Sequence, residues 1–201
     1  VVVAGRRFGK TVLALWYLIK TAYEKVNSIN WYTAPTYRQA KQIAWSMLKG
    51  FIPQEAVSNR NETDLTMTLL NGSSISLRGA DNYDSLRGVG LDSLVLDEYA
   101  DMAEEVWTEV LRPSLSDKLG TALFIGTPAG FNHLYDLWIE ADGKPDWRAW
   151  QFTTMDGGHV PKEELEAAKL DLDERTYKQE YEASFSSLTG RVYYEFDRIL
   201  N

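Results

Sequence analysis

At 201 residues and 44% hydrophobic content, the chain is long enough to bury one good core, so one domain with a C-terminal tail is expected. The absence of cysteine excludes a disulfide scaffold and thiolate metal sites, and two histidines, His133 and His159, are too few and too far apart for a histidine-based metal cluster. No apolar run approaches ~20 residues and there is no basic leader, so no membrane span is indicated, while a net charge of −8 argues against wholesale coating of nucleic acid.

In chain order, Val1-Val2-Val3 reads as a short buried strand, followed by a loop and an amphipathic helical run that opens at Gly9-Lys10-Thr11. Ile29–Ala34 is an apolar strand ending at Pro35. Tyr37–Phe51 carries Ala40, Ile43, Ala44, Met47 and Leu48 at helical spacing, and Pro53 closes it. Thr66–Leu70 and Ser73–Leu77 flank Asn71-Gly72, the strongest short hairpin signal in the chain. A polar stretch from Arg78 to Asp92 leads into the strand Ser93–Leu96. A helix is expected from Ala103 to Leu111, stopping near Pro113. The strand Thr121–Ile125, the helix Asn132–Ala141 and a strand near Arg148–Phe152 complete the alternation. Lys162–Ala183 reads as two charged helices broken near Asp173. Strands alternating with helices predict an α/β fold with a mainly parallel sheet, helices on both faces and a β-hairpin insert.

Three stretches carry chemistry. Strand, loop, Gly-Lys-Thr and helix is the context of a phosphate-binding loop, which runs here as Ala4-Gly5-Arg6-Arg7-Phe8-Gly9-Lys10-Thr11. Ala4 stands where the strict pattern has its first glycine, and Gly5 lies one residue late. In such a loop the backbone N–H groups from Gly5 to Gly9 curl round the β- and γ-phosphates, Lys10 reaches their oxygens and the Thr11 hydroxyl sits on Mg²⁺. At the end of the strand Leu94-Val95-Leu96, Asp97 would hold the Mg²⁺ shell and Glu98 would act on water as general base. Alone, that pair also fits a strand end with two solvated acids. Gly126-Thr127-Pro128 closes the next strand and would set the Thr127 hydroxyl beside the γ-phosphate, although by itself it reads equally as turn punctuation.

Taken together, AGRRFGKT, TAPTYRQA, LRGADNYDSLRG after the hairpin, LVLDEYA, LRPSLSD, LFIGTPAGFNHLYDLW and RTYKQEYEASF resemble the ATPase domain of a tailed-phage terminase large subunit. The resemblance implies an additional-strand, catalytic-glutamate P-loop NTPase fold with a C-terminal helical lid. It implies an ATPase core over 1–155, a helical lid over 156–190, and over 191–201 the start of a linker toward a nuclease domain. An adenine-contacting segment would lie ahead of residue 1, and no nuclease activity is expected within 1–201. ATP hydrolysis would drive double-stranded DNA into a procapsid, with Lys10 and Thr11 on phosphate and Mg²⁺, Asp97 on the metal, Glu98 as base, Thr127 coupling and Arg6 as the loop arginine. An arginine acting on a neighbouring subunit's site falls on Arg87, with Arg78 as the alternative and a local salt bridge to Asp81 or Asp84 as the competing role. The implied partners are a homo-oligomeric ring, most simply a pentamer, the portal protein and the small terminase subunit. The implied setting is the portal vertex in the host cytoplasm.

Acidity is uneven: residues 156–201 hold 11 acids and 6 bases, whereas residues 1–155 hold 18 and 15. The body can therefore present a local basic track, for which Arg38, Lys41, Lys118, Lys144 and Arg148 are weak candidates. Trp16, Trp45, Trp107 and Trp138 fall on apolar helix faces and read as core or subunit contacts. Two other functions compete: a fragment of a helicase-like translocase, and a P-loop assembly switch without turnover. Glu98 argues against the switch.

Overall fold

The structure is a computed structural model and describes residues 1–185; residues 186–201, which include the expected linker 191–201 and the end of the expected lid, lie outside the described residues. An eight-stranded sheet with order β3-β4-β5-β2-β6-β7-β1-β8 forms the centre. Its strands are β1 (Val2–Ala4), β2 (Ile29–Ala34), β3 (Val57–Asn61), β4 (Thr66–Leu69), β5 (Ser74–Gly79), β6 (Ser93–Asp97), β7 (Thr121–Gly126) and β8 (Trp150–Phe152). The run from β5 to β8 is parallel, and β3 and β4 extend it antiparallel at one edge.

Alternate residues on the parallel strands feed two cores. Val2, Tyr32, Val95 and Ile125 face one side, under α1 (Lys10–Glu24) and a second helix that comprises α2 (Tyr37–Ala40), a π-turn at Lys41–Trp45 and α3 (Ser46–Phe51). Val3, Trp31, Leu94, Leu96 and Phe124 face the other. There a π-helical segment, Val106–Leu111, runs into α4 (Arg112–Ser114), and α5 (His133–Ala141) packs alongside. Period-two alternation of apolar residues on strands covered on both faces is what a doubly covered parallel sheet requires.

The hairpin at Asn71-Gly72 forms, but it is not separate from the sheet. Its second strand, β5, pairs in parallel with β2 along its whole length, and a strand that the sequence pattern did not reveal, β3, pairs with β4. β3 reads VSNRN and is half exposed, so it has no hydrophobic alternation to announce it. The helix before Pro113 also runs on. Pro113 enters the first turn of α4, where a missing N–H costs no hydrogen bond, just after the wide π-turn has shifted the register. In the C-terminal region α6 (Thr154–Gly157), α7 (Lys162–Asp171) and α8 (Glu174–Glu180) follow β8, and Asp173 caps α8 through the N–H groups of Arg175 and Thr176.

At the opposite edge from the strand C-termini, Asp92 ties four elements together. Its carboxylate, 1% exposed, accepts from the Ile29 N–H at 2.7 Å and from Lys118 at 2.8 Å, and pairs with Lys25 at 2.5 Å. Burial pushes Asp92 up, but the bonds from Lys118, Lys25 and Ile29 together hold its carboxyl below the ordinary value. Lys118 thus has a structural role, with its side chain 32% exposed. Lys144 likewise pairs with Glu140, and the Arg148 guanidinium caps the carbonyls of Pro145 and Trp147.

Replacing Asp92 with Asn should cost about 2–3 kcal/mol at neutral pH. Because the folded pKa is depressed, that contribution is present above the unfolded value of about 4 and is lost as pH falls through the folded value. Urea midpoints of the two proteins should therefore differ by a constant amount above about pH 4 and converge as pH falls from there through the folded value. Gly5→Ala tests a close approach. An added Cβ would lie 2.5 Å from both Thr154 Oγ1 and the Tyr181 carbonyl oxygen, so the C-terminal segment must move. We expect a loss of about 1–3 kcal/mol and faster tryptic cleavage at Lys178, whereas unchanged cleavage would mean that the segment is not held at Gly5.

Candidate functional site

Strand order brings the three chemical stretches together. β7 lies between β1 and β6, so the loop after β1, Thr127 after β7 and Asp97-Glu98 at the end of β6 project side by side from the carboxyl edge of the sheet. That edge is where open α/β sheets bind ligands. Lys10, on the first turn of α1, is only 8% exposed. Its ammonium donates to the carbonyls of Ala4 at 2.9 Å and Gly5 at 3.2 Å and to Thr127 Oγ1 at 3.0 Å. All three acceptors are neutral. Burial pulls the Lys10 pKa down, against the pull of Glu98 and Asp97 nearby.

Thr127 also donates its N–H to Glu98 Oε2 at 3.1 Å, so Lys10, Thr127 and Glu98 form one hydrogen-bonded chain. Glu98 itself has φ +51, a left-handed conformation that is uncommon for a side chain of this size. Asp97, 4% exposed, accepts from the Tyr32 hydroxyl and faces Thr11 Oγ1 at 3.5 Å, both through Oδ2. Burial pushes the Asp97 carboxyl up to about 6, with the Tyr32 hydrogen bond acting in the opposite direction. An oxygen donor pair made of Thr11 hydroxyl and Asp97 carboxylate suits a hard cation such as Mg²⁺. The buried ammonium with neutral acceptors and the first N–H groups of α1, which have no intrahelical acceptor, suit an anion.

A cleft of about 670 Å³ opens here, bounded by Arg6 to Val12, Glu98, Thr127 to Ala129, and Gln179 and Glu180 from α8. Within the loop the N–H of Gly5 is bonded to the Phe152 carbonyl and that of Arg6 to the Glu180 carbonyl. These two amides are therefore turned toward protein, and the expectation that they surround an anion does not describe this conformation. Phe8 stacks on Phe152 of β8, with centroids 4.9 Å apart. Gly9, at φ +108, opens α1 in a conformation that disfavours a side chain, and the nearest group is His159. The Arg6 guanidinium binds the carboxylate of Glu180, which raises the arginine's pKa. Arg7 is exposed at φ +61.

Arg87 lies outside this cleft. Its guanidinium pairs with Asp84 at 3.0 Å and with Glu109 at 3.4 Å, so the local salt bridge to Asp84 is present and the one to Asp81 is not the partner used. Arg78 stacks over Trp31 and donates to the Asp64 carbonyl, also away from the cleft. Trp45 and Trp107 are core residues, but Trp16 is 54% exposed, against Phe51. Two site residues escaped sequence reasoning. Tyr32 looks like any aromatic in a buried strand, and Glu180 like any acid in a charged helix; neither has a local signal.

A family profile described as "Terminase large subunit, T4likevirus-type, N-terminal" matches residues 1–199. The large terminase subunit of Escherichia phage T5 is 30% identical over 202 residues, which cover 97% of this chain and 45% of that protein. That of Thermus phage G20c is 26% identical, covering 98% and 47%. The chain thus spans about half the length of the curated relatives it matches. Among solved structures, the large terminase ATPase domain of Thermus phage P74-26 aligns with a TM-score of 0.82 at 26% identity, over 92% of this chain and 88% of that one. The large terminase of a thermophilic bacteriophage, solved in complex with ADP, aligns at 0.77 over 92% of this chain and 48% of that one; at 17% identity it supports the fold alone. A sheet in which β7 separates the Lys10 strand from the Asp97 strand agrees with these matches, and the chain belongs to the terminase large subunit family, as its N-terminal ATPase domain.

Proposed function

We propose that the chain hydrolyses ATP and that hydrolysis drives double-stranded DNA into a procapsid. The observation that carries the reading is Lys10: a buried ammonium with neutral acceptors, linked to Glu98 through one residue, Thr127, whose hydroxyl accepts from Lys10 and whose N–H donates to Glu98. Lys10 neutralises the β- and γ-phosphate oxygens, and the first turn of α1 adds its N–H groups. Thr11 and Asp97 hold Mg²⁺, which supplies charge neutralisation on the phosphates. Glu98 accepts a proton from water as its oxygen attacks the γ-phosphorus; the bond from that phosphorus to the bridging oxygen breaks, and its electron pair leaves with ADP. Thr127, bonded to both Lys10 and Glu98, passes the change to β7. Arg6 exchanges Glu180 for phosphate.

Residues 1–155 act as the core and 156–190 as a lid against it. Arg87 serves a neighbouring subunit's site. It is half exposed, held by the surface carboxylates of Asp84 and Glu109 and by the Glu109 carbonyl, and followed by Gly88 at φ +85 with open space around it. On this reading the chain works in a homo-oligomeric ring, most simply a pentamer, with the portal protein and the small terminase subunit at the portal vertex in the host cytoplasm. Adenine nucleotides are taken as the ligand by analogy with the terminase of the thermophilic bacteriophage, which was solved with ADP and with ATP-γ-S.

Glu98→Gln should lower steady-state ATPase rate by roughly 10²–10⁴-fold while ATP still binds. An unchanged readout in that variant would favour an assembly switch over a motor. Arg87→Ala should lower turnover by about 10³-fold, and mixing it with Glu98→Gln subunits should restore part of the rate, because each supplies what the other lacks. A rate that is independent of protein concentration and untouched by Arg87→Ala would show a self-contained site.

A further inference from the structure

We infer that Tyr32 is a positioning residue for the cation half of this site, orienting the Asp97 carboxylate toward Thr11. The inference rests on the Mg²⁺–nucleotide reading given above. Tyr32 lies on β2 opposite Val95 of the neighbouring β6, so Tyr32, Val95 and Asp97 share one face of the sheet. Asp97 is two residues, about 6.6 Å, further along β6. A phenol spans that step; a branched aliphatic side chain does not.

The ring is fully buried in the core under α1, where leucine or phenylalanine would fill the space without a polar group to satisfy. The hydroxyl at its tip instead donates to Asp97 Oδ2, the same oxygen that faces Thr11. Two hydroxyls, one from a strand and one from a helix, thus converge on one carboxylate oxygen, and they fix the plane of a side chain that could otherwise rotate. Tyr32 does not line the cleft. It acts through Asp97, as groups that orient a metal ligand do.

The test uses the whole chain with Tyr32→Phe, which keeps the ring and removes only the hydroxyl. ADP affinity is measured by titration calorimetry in EDTA and across a series of Mg²⁺ concentrations. The Mg²⁺ concentration for half-maximal tightening should rise about tenfold or more, with the EDTA affinity and the melting temperature close to those of the unsubstituted chain. Mg²⁺ dependence equal to that of the unsubstituted chain would overturn the inference. So would an equal loss of affinity with and without Mg²⁺, which would mean that the hydroxyl shapes the whole site. An unsubstituted chain whose ADP binding ignores Mg²⁺ would defeat the underlying reading instead, and that failure is visible before any substitution is made.

Discussion

A lysine ammonium buried among neutral oxygens is the constraint on which the rest of the site depends. Taking a cation out of water costs several kcal/mol unless an opposing charge or a full set of hydrogen bonds offsets it. Lys10 has the hydrogen bonds, to two loop carbonyls and a threonine, but no carboxylate in direct contact. Glu98 stands one residue further out, behind Thr127, and Asp97 is engaged elsewhere, by Tyr32 and Thr11. That spacing leaves the ammonium with attraction to spare for an incoming anion while the acids remain available for other work. A direct Lys10–Asp97 or Lys10–Glu98 bridge would satisfy both charges and close the site to phosphate. Inserting β7 between β1 and β6 is what enforces the gap.

The loop arginine follows the opposite logic. Arg6 is directly paired with Glu180, yet the guanidinium side chain is 69% exposed, and ion pairs in contact with water contribute little to stability. The carbonyl of the same Glu180 accepts the Arg6 N–H, and the Tyr181 carbonyl accepts the Thr154 N–H just beyond β8. The end of α8 is therefore tied to the phosphate loop by one backbone bond and one weak ion pair, and to the start of α6 by a second backbone bond. A polyanion arriving at Arg6 competes with Glu180 at small energetic cost, and any such exchange is felt first at α8.

The sequence made the parallel core and its chemical centre legible because both depend on local signals. Val1–Ala4, Ile29–Ala34, Leu94–Leu96 and Thr121–Ile125 are apolar runs with turn residues after them, and Gly9-Lys10-Thr11 needs only its flanking strand and helix to be read. What escaped depends on partners distant in the chain. β3 is polar and is a strand only because β4 offers an edge. The helix through Pro113 survives because a π-turn precedes it, which no periodicity reports. Tyr32 acquires its polar role from a register with β6 over sixty residues away, and Glu180 acquires its role from a loop at the other end of the chain. Trp16 falls on an apolar helix face yet is 54% exposed, so of the two roles its spacing allowed, core and subunit contact, the fold excludes the core role.

These two kinds of contact divide the site mechanically. Lys10, Thr127, Asp97 and Tyr32 are held by a parallel sheet covered on both faces, where shifting one residue means shifting a packed strand. Arg6, Glu180 and Gln179 are held by a loop and a seven-residue helix whose side chains are partly in water. Of the two sides, the α8 side has the lower cost of rearrangement, so it is the side on which binding in the cleft would be expressed as motion. The strand side serves as the fixed reference against which that motion is produced. Glu98 sits on the boundary: its backbone leaves β6 in a left-handed turn, while its carboxylate remains bonded to Thr127. A group so placed reports on both halves, which is the position a residue must occupy if bond cleavage and displacement of α8 are to remain coupled.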